Sequence, residues 1–154
     1  MNCSPNAAAK SPAIQTGHSP VVLDASALLA YLRDEPGAQA VSDAIAAGAT
    51  ISAANLAEVF STVAGRGADP ASLAAELTDA GLLGGALIVE DFTTQDAIAV
   101  AQLRPPTRDA GLSLGDRACL ALTQRLTTSA LTADRAWASL TGLDIDTRQI
   151  REHT

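Results

Sequence analysis

Short runs of apolar, β-favouring residues alternate with helix-compatible segments along this chain. The strand candidates are residues 21–23, 50–52, 86–89 and 130–132, with 143–147 as a candidate edge strand. Helical patterns fill the intervals, over residues 25–33, 38–48, 55–65, 70–80, 93 onward and 114–125, with a short helix over 135–140. Such alternation predicts an α/β fold in which a mostly parallel sheet is covered by helices on both faces.

Turn-forming residues mark the boundaries between these segments. Asp69-Pro70 predicts a helix N-cap followed by proline at the first helical position. The glycines within residues 81–85 predict a break before the third strand. Pro105-Pro106, inside the charged stretch 104–111, predicts an exposed loop.

Length, charge and cysteine content limit the class of protein. A chain of 154 residues fits one domain, and a net charge of −7 argues against a generic nucleic-acid binder. Cys3 and Cys119 give no disulfide framework, and no apolar run approaches the roughly 20 residues that cross a bilayer. We therefore predict a cytoplasmic protein with no membrane association. Residues 1–20 are predicted to be a flexible extension, 21–150 the domain, and 151–154 a tail.

Acidic residues occupy strand ends and helix starts, where an α/β fold presents side chains to a crevice. The four that matter are Asp24, Glu58, Asp116 and Asp134. Clustered carboxylates repel one another unless some protonate, pair with basic residues or bind a hard cation. Mg²⁺ is the natural occupant, with Mn²⁺ as an alternative, and such a site can perform phosphodiester chemistry.

Each of these residues also has a structural interpretation. Asn55-x-x-Glu58 and Ser113-x-x-Asp116 resemble capping boxes, and Thr93-x-x-Asp96 has the same pattern. Asp24 and Asp134 would likewise favour helix N-termini through the helix dipole. Taken singly, each residue is better explained as a cap, so the functional hypothesis depends on whether they converge.

Other chemistries lack their residues. There is no phosphate-binding Gly-x-x-x-x-Gly-Lys run, and both histidines, His18 and His153, lie in terminal segments, where they cannot serve a nucleophilic triad. A phosphatase of the haloacid-dehalogenase type needs a second aspartate two residues after the first, where this chain has Ser26.

Four segments in register resemble the PIN-domain ribonucleases, specifically the VapC-type toxins of bacterial toxin–antitoxin pairs. They are Val22-Leu23-Asp24-Ala25-Ser26-Ala27-Leu28-Leu29, Ile51-Ser52-Ala53-Ala54-Asn55-Leu56-Ala57-Glu58-Val59, Gly111-Leu112-Ser113-Leu114-Gly115-Asp116-Arg117-Ala118-Cys119-Leu120-Ala121-Leu122 and Leu131-Thr132-Ala133-Asp134-Arg135-Ala136-Trp137. The resemblance implies a PIN-like three-layer α/β/α fold with a central sheet of four to five mostly parallel strands.

The resemblance also implies a metal site lined by four acidic residues. Asp24 and Asp116 would be the principal Mg²⁺ ligands, Glu58 would bind metal or orient water, and Asp134 would ligate through water or hold a second site. Thr132 would assist behind these ligands, and Arg117 is the foremost candidate among several arginines for a phosphate contact or a local salt bridge.

The implied function is a Mg²⁺-dependent endoribonuclease toxin. Its implied partners are an RNA substrate, a second copy in a homodimer, and a VapB-like antitoxin that would itself supply DNA binding. Two alternatives remain open at this level: a catalytically weak PIN-like binding module acting through its antitoxin complex, and a metal-dependent small-molecule phosphatase.

Overall fold

Five parallel strands form the centre of the molecule in the computed structural model, which describes residues 20–151. In chain order they are β1 (Val21–Leu23), β2 (Ala49–Ser52), β3 (Leu87–Glu90), β4 (Ser129–Thr132) and β5 (Asp146–Gln149). Their order across the sheet is β3-β2-β1-β4-β5. The first strand is therefore central, and the chain turns one way for β2 and β3 and the other way for β4 and β5.

Six α-helices and one short 3₁₀-helix connect the strands within the described residues. They are α1 (Ala25–Leu32), α2 (Ala38–Ala46), α3 (Ala53–Ala64), α4 (Pro70–Asp79), α5 (Thr94–Thr107), α6 (Leu114–Leu126) and the 3₁₀-helix Arg135–Ser139. No helix of residues 20–151 is both long and apolar enough to span a bilayer.

Neighbouring residues of β1 enter different cores because side chains alternate across a strand. Leu23 joins a cluster with Leu28, Val41 and Ile51, whereas Val22 joins one with Leu120 and Trp137. Two cores separated by a parallel sheet define three α/β/α layers, which confirms the predicted fold class. The low aromatic content is compensated by small and aliphatic side chains, and Trp137 is the largest fully buried side chain.

The point where the strand order reverses lies between β1 and β4, which pair in parallel. In open α/β sheets such a switch point leaves a crevice beyond the carboxyl ends of the strands. Asp24 directly follows β1, and Asp134 lies two residues beyond β4. The topology therefore places two of the four predicted acidic residues at the position where ligands bind in this architecture.

Residues 104–107 are helical, so the predicted loop is wrong at its start: α5 continues through Pro105 and Pro106 to Thr107. The two prolines leave the carbonyls of Ala101 and Gln102 without intrahelical donors, but both of those residues are exposed, and water can satisfy them. Leu103 and Thr107, one turn apart, are buried. Their burial holds the last helical turn in place.

Two other boundaries differ from the sequence-based expectation. The edge strand β5 covers Asp146–Gln149 instead of residues 143–147. Helix α3 begins at Ala53, immediately after β2, and Ser52 is its N-cap, with the Ser52 Oγ accepting from the Ala54 amide at 3.2 Å. Asn55 therefore lies inside the helix, so the capping-box interpretation of Asn55-x-x-Glu58 is wrong.

Candidate metal and nuclease site

Asp24 is buried, with 2% of its surface exposed, at the carboxyl end of β1. Its Oδ1 accepts from the Ala27 amide at 2.8 Å, so Asp24 caps α1 as predicted. Burial, with a smaller contribution from the charge of Asp116, raises the pKa of Asp24 to about 6. Hydrogen bonds from Thr132, Ala27 and Ser26 act in the other direction, because they favour the ionised form. Asp24 is thus a desolvated acid held in one orientation.

Two hydroxyl groups tie Asp24 to the turn after β4. Thr132 Oγ1 donates to Asp24 Oδ2 at 2.6 Å and accepts from the Asp134 amide at 3.0 Å. Ser26 Oγ lies 2.8 and 2.9 Å from the two oxygens of Asp24, to which it donates, and it accepts from the Ala133 amide at 2.9 Å. The two hydroxyls fix the turn that carries Asp134 relative to Asp24.

The predicted supporting position of Thr132 is consistent with these contacts, whereas sequence reasoning assigned no role to Ser26. A hydroxyl two residues after a strand-end aspartate was the available signal. Its significance depends on Ala133, which lies 107 residues further along the chain.

Asp134 caps the 3₁₀-helix that follows it. Its Oδ1 accepts from the Ala136 amide at 2.9 Å, and its backbone carbonyl accepts from Gln149 Nε2 at 2.9 Å. The predicted capping role is therefore confirmed. Oδ2 of Asp134 has no hydrogen-bond partner within residues 20–151, so one carboxylate oxygen is left for a ligand.

Asp116 is the third residue of α6 and forms a reciprocal capping box with Ser113. Its Oδ2 accepts from the Ser113 amide at 2.8 Å, and the Ser113 Oγ accepts from the Asp116 amide at 3.1 Å. The capping prediction is confirmed here too. As with Asp134, the second oxygen, Oδ1, has no hydrogen-bond partner in the described part of the chain.

Glu58 lies on α3 beside the first turn of α6 and is exposed. Desolvation and the charge of Asp116 raise the pKa of Glu58, while a hydrogen bond from Asn55 opposes the rise. Because the charge of Asp116 raises the pKa of both Asp24 and Glu58, these three carboxylates form one electrostatic group. Asp134 joins them through the hydroxyl of Thr132.

Within residues 20–151, no arginine forms a salt bridge with any of these four carboxylates; the ion pairs there involve other acids. Neither does that range contain three or more His, Cys, Asp or Glu side chains positioned together to hold a metal ion. The carboxylates are thus grouped, but they do not form a ready-made coordination shell.

The chemistry of the donor set fits a hard divalent cation. The donors are carboxylates: two have an oxygen without a partner among the described residues, and the other two have a raised pKa. Mg²⁺ binds proteins through one or two carboxylates while keeping several waters. A cation would also relieve the repulsion among acids that have no basic partner in the described residues. The group therefore suits Mg²⁺ or Mn²⁺ bound with water.

Arg117 follows Asp116 in the sequence, but its guanidinium contacts backbone carbonyls, one of them on α5. Its Nη1 donates to the Val100 carbonyl at 2.9 Å and its Nε to the Ser113 carbonyl at 3.3 Å. The guanidinium therefore joins α5 to α6.

Cys119 is fully buried in the core, as expected, and burial raises the pKa of its thiol well above the ordinary value.

These features describe a PIN-type architecture: a parallel α/β/α sheet whose switch point is lined by acidic residues. The sequence matches the PIN domain family over residues 21–143, and the chain belongs to that family. No curated protein shows significant sequence similarity to it.

Several solved structures have the same fold and are distant in sequence. A toxin–antitoxin complex from Klebsiella pneumoniae aligns with a TM-score of 0.60 at 16% identity, covering 86% of this chain and 99% of the other. DNA-bound VapBC from Salmonella typhimurium gives 0.61 at 16% identity, covering 84% and 97%. FitAcB from Neisseria gonorrhoeae gives 0.62 at 20% identity, also covering 84% and 97%. At this level of identity the likeness establishes the fold.

Proposed function

We propose that this protein is a Mg²⁺-dependent endoribonuclease toxin of a toxin–antitoxin pair, with Mn²⁺ as an alternative cofactor. The observation that carries the proposal is the group around Asp24: a buried acid of raised pKa, near Asp116, without a basic partner among the described residues. Membership of the PIN family, whose domains are generally nucleases, supports hydrolysis of phosphodiester bonds. The catalytic domain is proposed to span residues 21–150.

In this proposal Asp24 and Asp116 are the principal metal ligands, with Glu58 and Asp134 beside them. A bound divalent cation supplies Lewis-acid polarisation of a phosphoryl oxygen and a more acidic water. Ser26, Thr132 and the Ala27 amide hold the Asp24 carboxylate in one orientation, so its oxygens need no rearrangement on binding.

Glu58 is proposed to accept the proton of the attacking water. A carboxylate whose pKa is raised is a stronger base than an ordinary glutamate, and Glu58 is exposed to solvent at the rim of the group. Arg117 Nε and Nη1 donate to two backbone carbonyls, so a phosphate contact from this residue would be made by Nη2, which has no partner among the described residues.

The proposed partners are an RNA substrate, a VapB-like antitoxin and a second copy of the chain in a homodimer, all in the cytoplasm. Support comes from structural neighbours whose descriptions are toxin–antitoxin complexes. One of them is a VapBC complex bound to DNA. For this protein, DNA binding is proposed to occur only through the antitoxin.

Asp24→Asn and Asp116→Asn should each abolish Mg²⁺-dependent RNA cleavage, and with it growth arrest on expression, while the fold is retained. Removing a metal ligand eliminates the charge that holds the cation, so we expect a loss of about 100-fold or more. Cleavage of labelled RNA, with circular dichroism of each variant, measures this. Asp146→Asn is the matched control, because Asp146 is an exposed acid at the amino end of the edge strand β5, whereas the acidic group lies at the carboxyl ends of the strands.

The result also separates the remaining alternatives. Full cleavage by both variants would refute the site assignment. A wild-type protein that binds an antitoxin but turns over no RNA would instead be a binding module, and one that hydrolyses phosphomonoesters and ignores RNA would be a small-molecule phosphatase.

A further inference from the structure

Helices α3 and α6 meet at Asn55, a fully buried residue in the first turn of α3. Its Nδ2 donates to the Gly115 carbonyl at 2.8 Å. The Glu58 carboxylate lies against the same residue, since its Oε2 would be 2.5 Å from a Cβ of Gly115. The Gly115 carbonyl is an acceptor, so only the NH₂ group of the amide can face it, and the orientation of the amide is fixed.

Gly115 provides the space for this contact. A Cβ at this position would lie 2.5 Å from Glu58 Oε2 and 3.6 Å from Asn55 Nδ2. The backbone of Gly115 has no positive φ, so a Cβ is opposed here by the close approach of Glu58 and not by the conformation, and it would fit only if the Glu58 carboxylate moved. The Glu58 carboxylate therefore occupies the place of a side chain on α6, one residue before Asp116.

The other end of the Asn55 amide has no such partner. Oδ1 is buried and accepts no hydrogen bond from residues 20–151. An unpaired buried carbonyl oxygen lowers stability, and a leucine, which has the same branching at Cγ, would avoid that penalty. The NH₂ group, which donates to the Gly115 carbonyl, accounts for an asparagine at this position.

We propose that Asn55 is a positioning residue for the metal site: it holds the first turn of α6 against α3 and thereby sets the placement of the Glu58 carboxylate relative to Asp116. This inference rests on the proposed function, since it places Glu58 and Asp116 together beside a divalent cation. Asn55 acts through the α3–α6 contact, and it makes no contact with the cation itself.

The test is titration calorimetry of the full-length protein with Mn²⁺, combined with thermal unfolding in the absence of metal. Asn55→Leu should raise the Kd for Mn²⁺ about tenfold, as loss of groups that orient ligands does, and leave Tm unchanged or higher. Gly115→Ala, which favours the helix but displaces Glu58, should raise the Kd in the same way. The control Thr107→Val removes a buried hydroxyl that donates to the Leu103 carbonyl on α5, and it should leave the Kd unchanged.

Three results would overturn the inference. The first is a wild-type Kd in both Asn55→Leu and Gly115→Ala. The second is a weaker Kd that accompanies a lower Tm in both variants, because that describes a structural role only. A wild-type protein that binds no Mn²⁺ would refute the proposed metal site and this inference together, and it is recognised before any variant is measured.

Discussion

At the residue scale, helix capping and ligand binding are compatible roles for the same carboxylate. Asp116 and Asp134 each use one oxygen to cap a helix and leave the other without a partner among the described residues. The capping interpretation and the metal interpretation, which compete when only the sequence is considered, therefore apply to different atoms. Asp24 differs from Asp116 and Asp134 because both of its oxygens accept hydrogen bonds and because its carboxylate is buried, which disfavours the charged form.

The buried charge of Asp24 predicts an unusual dependence of stability on pH. The folded protein holds the Asp24 proton with a pKa of about 6, against an ordinary value of 3.8, so protonation stabilises the fold below pH about 4. This contribution is lost as the pH rises through 6, and it amounts to ~3 kcal/mol. Urea unfolding of the metal-free protein between pH 4 and 7 measures it, and Asp24→Asn should remove this part of the slope.

Asp69→Asn is a control variant, because the contribution of Asp69 to stability changes with pH in the opposite direction. Hydrogen bonds from Ser72 lower the pKa of Asp69, so the wild-type side chain contributes stability above its ordinary pKa and loses it on acidification. Identical pH profiles for wild type and Asp24→Asn would show that Asp24 is not desolvated.

The acidic residues of the candidate site are easier to propose from the sequence than the residues that orient them. Asp24, Asp116 and Asp134 stand at recognisable ends of elements, and the order of four motifs indicates their family. Asn55 and Ser26 act on partners 60 and 107 residues away, and nothing local to either position reveals those contacts. Long-range hydrogen bonds are thus the part of the site that sequence reasoning does not reach.

At the element scale, burial overrides local turn signals. Pro105 and Pro106 predict a loop, but the burial of Leu103 and Thr107 keeps α5 helical to its end. The same helix begins as predicted, with Thr93 and Asp96 in a capping box. What the sequence does not show is the ion pair that joins this box to α6.

Because of that ion pair, we expect substitution of Arg125 to lower the stability of the fold. Arg125 Nε donates to Asp96 Oδ1 at 3.0 Å and its Nη2 to Asp96 Oδ2 at 3.2 Å, and the Asp96 side chain is only 4% exposed. Burial acts to raise the pKa of Asp96, but hydrogen bonds from Thr93 and Arg125 outweigh it and the pKa is lowered. Arg125→Met should destabilise the fold by ~2 kcal/mol, because it leaves a buried carboxylate without its charge partner.

Equilibrium unfolding in urea measures this effect. Arg148→Met is the matched control, since the Arg148–Asp146 pair is 61% and 59% exposed and such pairs contribute little. Equal losses in the two variants would contradict the assignment of Arg125 as the link between α5 and α6.

At the scale of the whole molecule, the two ends of the described chain lie on the same sheet. The first strand is central and the last is an edge, and directly after that last strand Ile150 donates its amide to the Thr132 carbonyl at 2.8 Å, which continues the pairing of β5 with β4. Arg151 then reaches the connection between α1 and α2, where its Nε donates to the Pro36 carbonyl at 2.7 Å. Residues 150–151 therefore pack against the sheet and the connection between α1 and α2.

Gly37, in the connection between α1 and α2, lies close against Ile150. Its φ is +96°, and a Cβ there would lie 2.7 Å from Ile150 Cγ1 and 2.8 Å from the Ile150 carbonyl oxygen. Gly48 has nearly the same φ of +94° but has nothing within 4 Å of a Cβ. Gly48→Ala should cost about 1 kcal/mol through backbone strain alone, and Gly37→Ala ~2 kcal/mol more through overpacking against Ile150.

Thermal and urea unfolding of both variants give the difference. Equal destabilisation by the two substitutions would mean that Ile150 does not pack against Gly37 and that residues 150–151 do not cover the α1–α2 connection.

The pairing of β1 with β4 has a consequence for synthesis on the ribosome. Asp24 and the hydroxyl of Thr132 that orients it are 108 residues apart, and translation proceeds from the amino terminus. A nascent chain carries Asp24 long before Thr132, and it cannot fix the Asp24 carboxylate until β4 has emerged. The acidic group is therefore assembled in its final geometry only after β4 is made, so a chain that stops before β4 does not carry the candidate site.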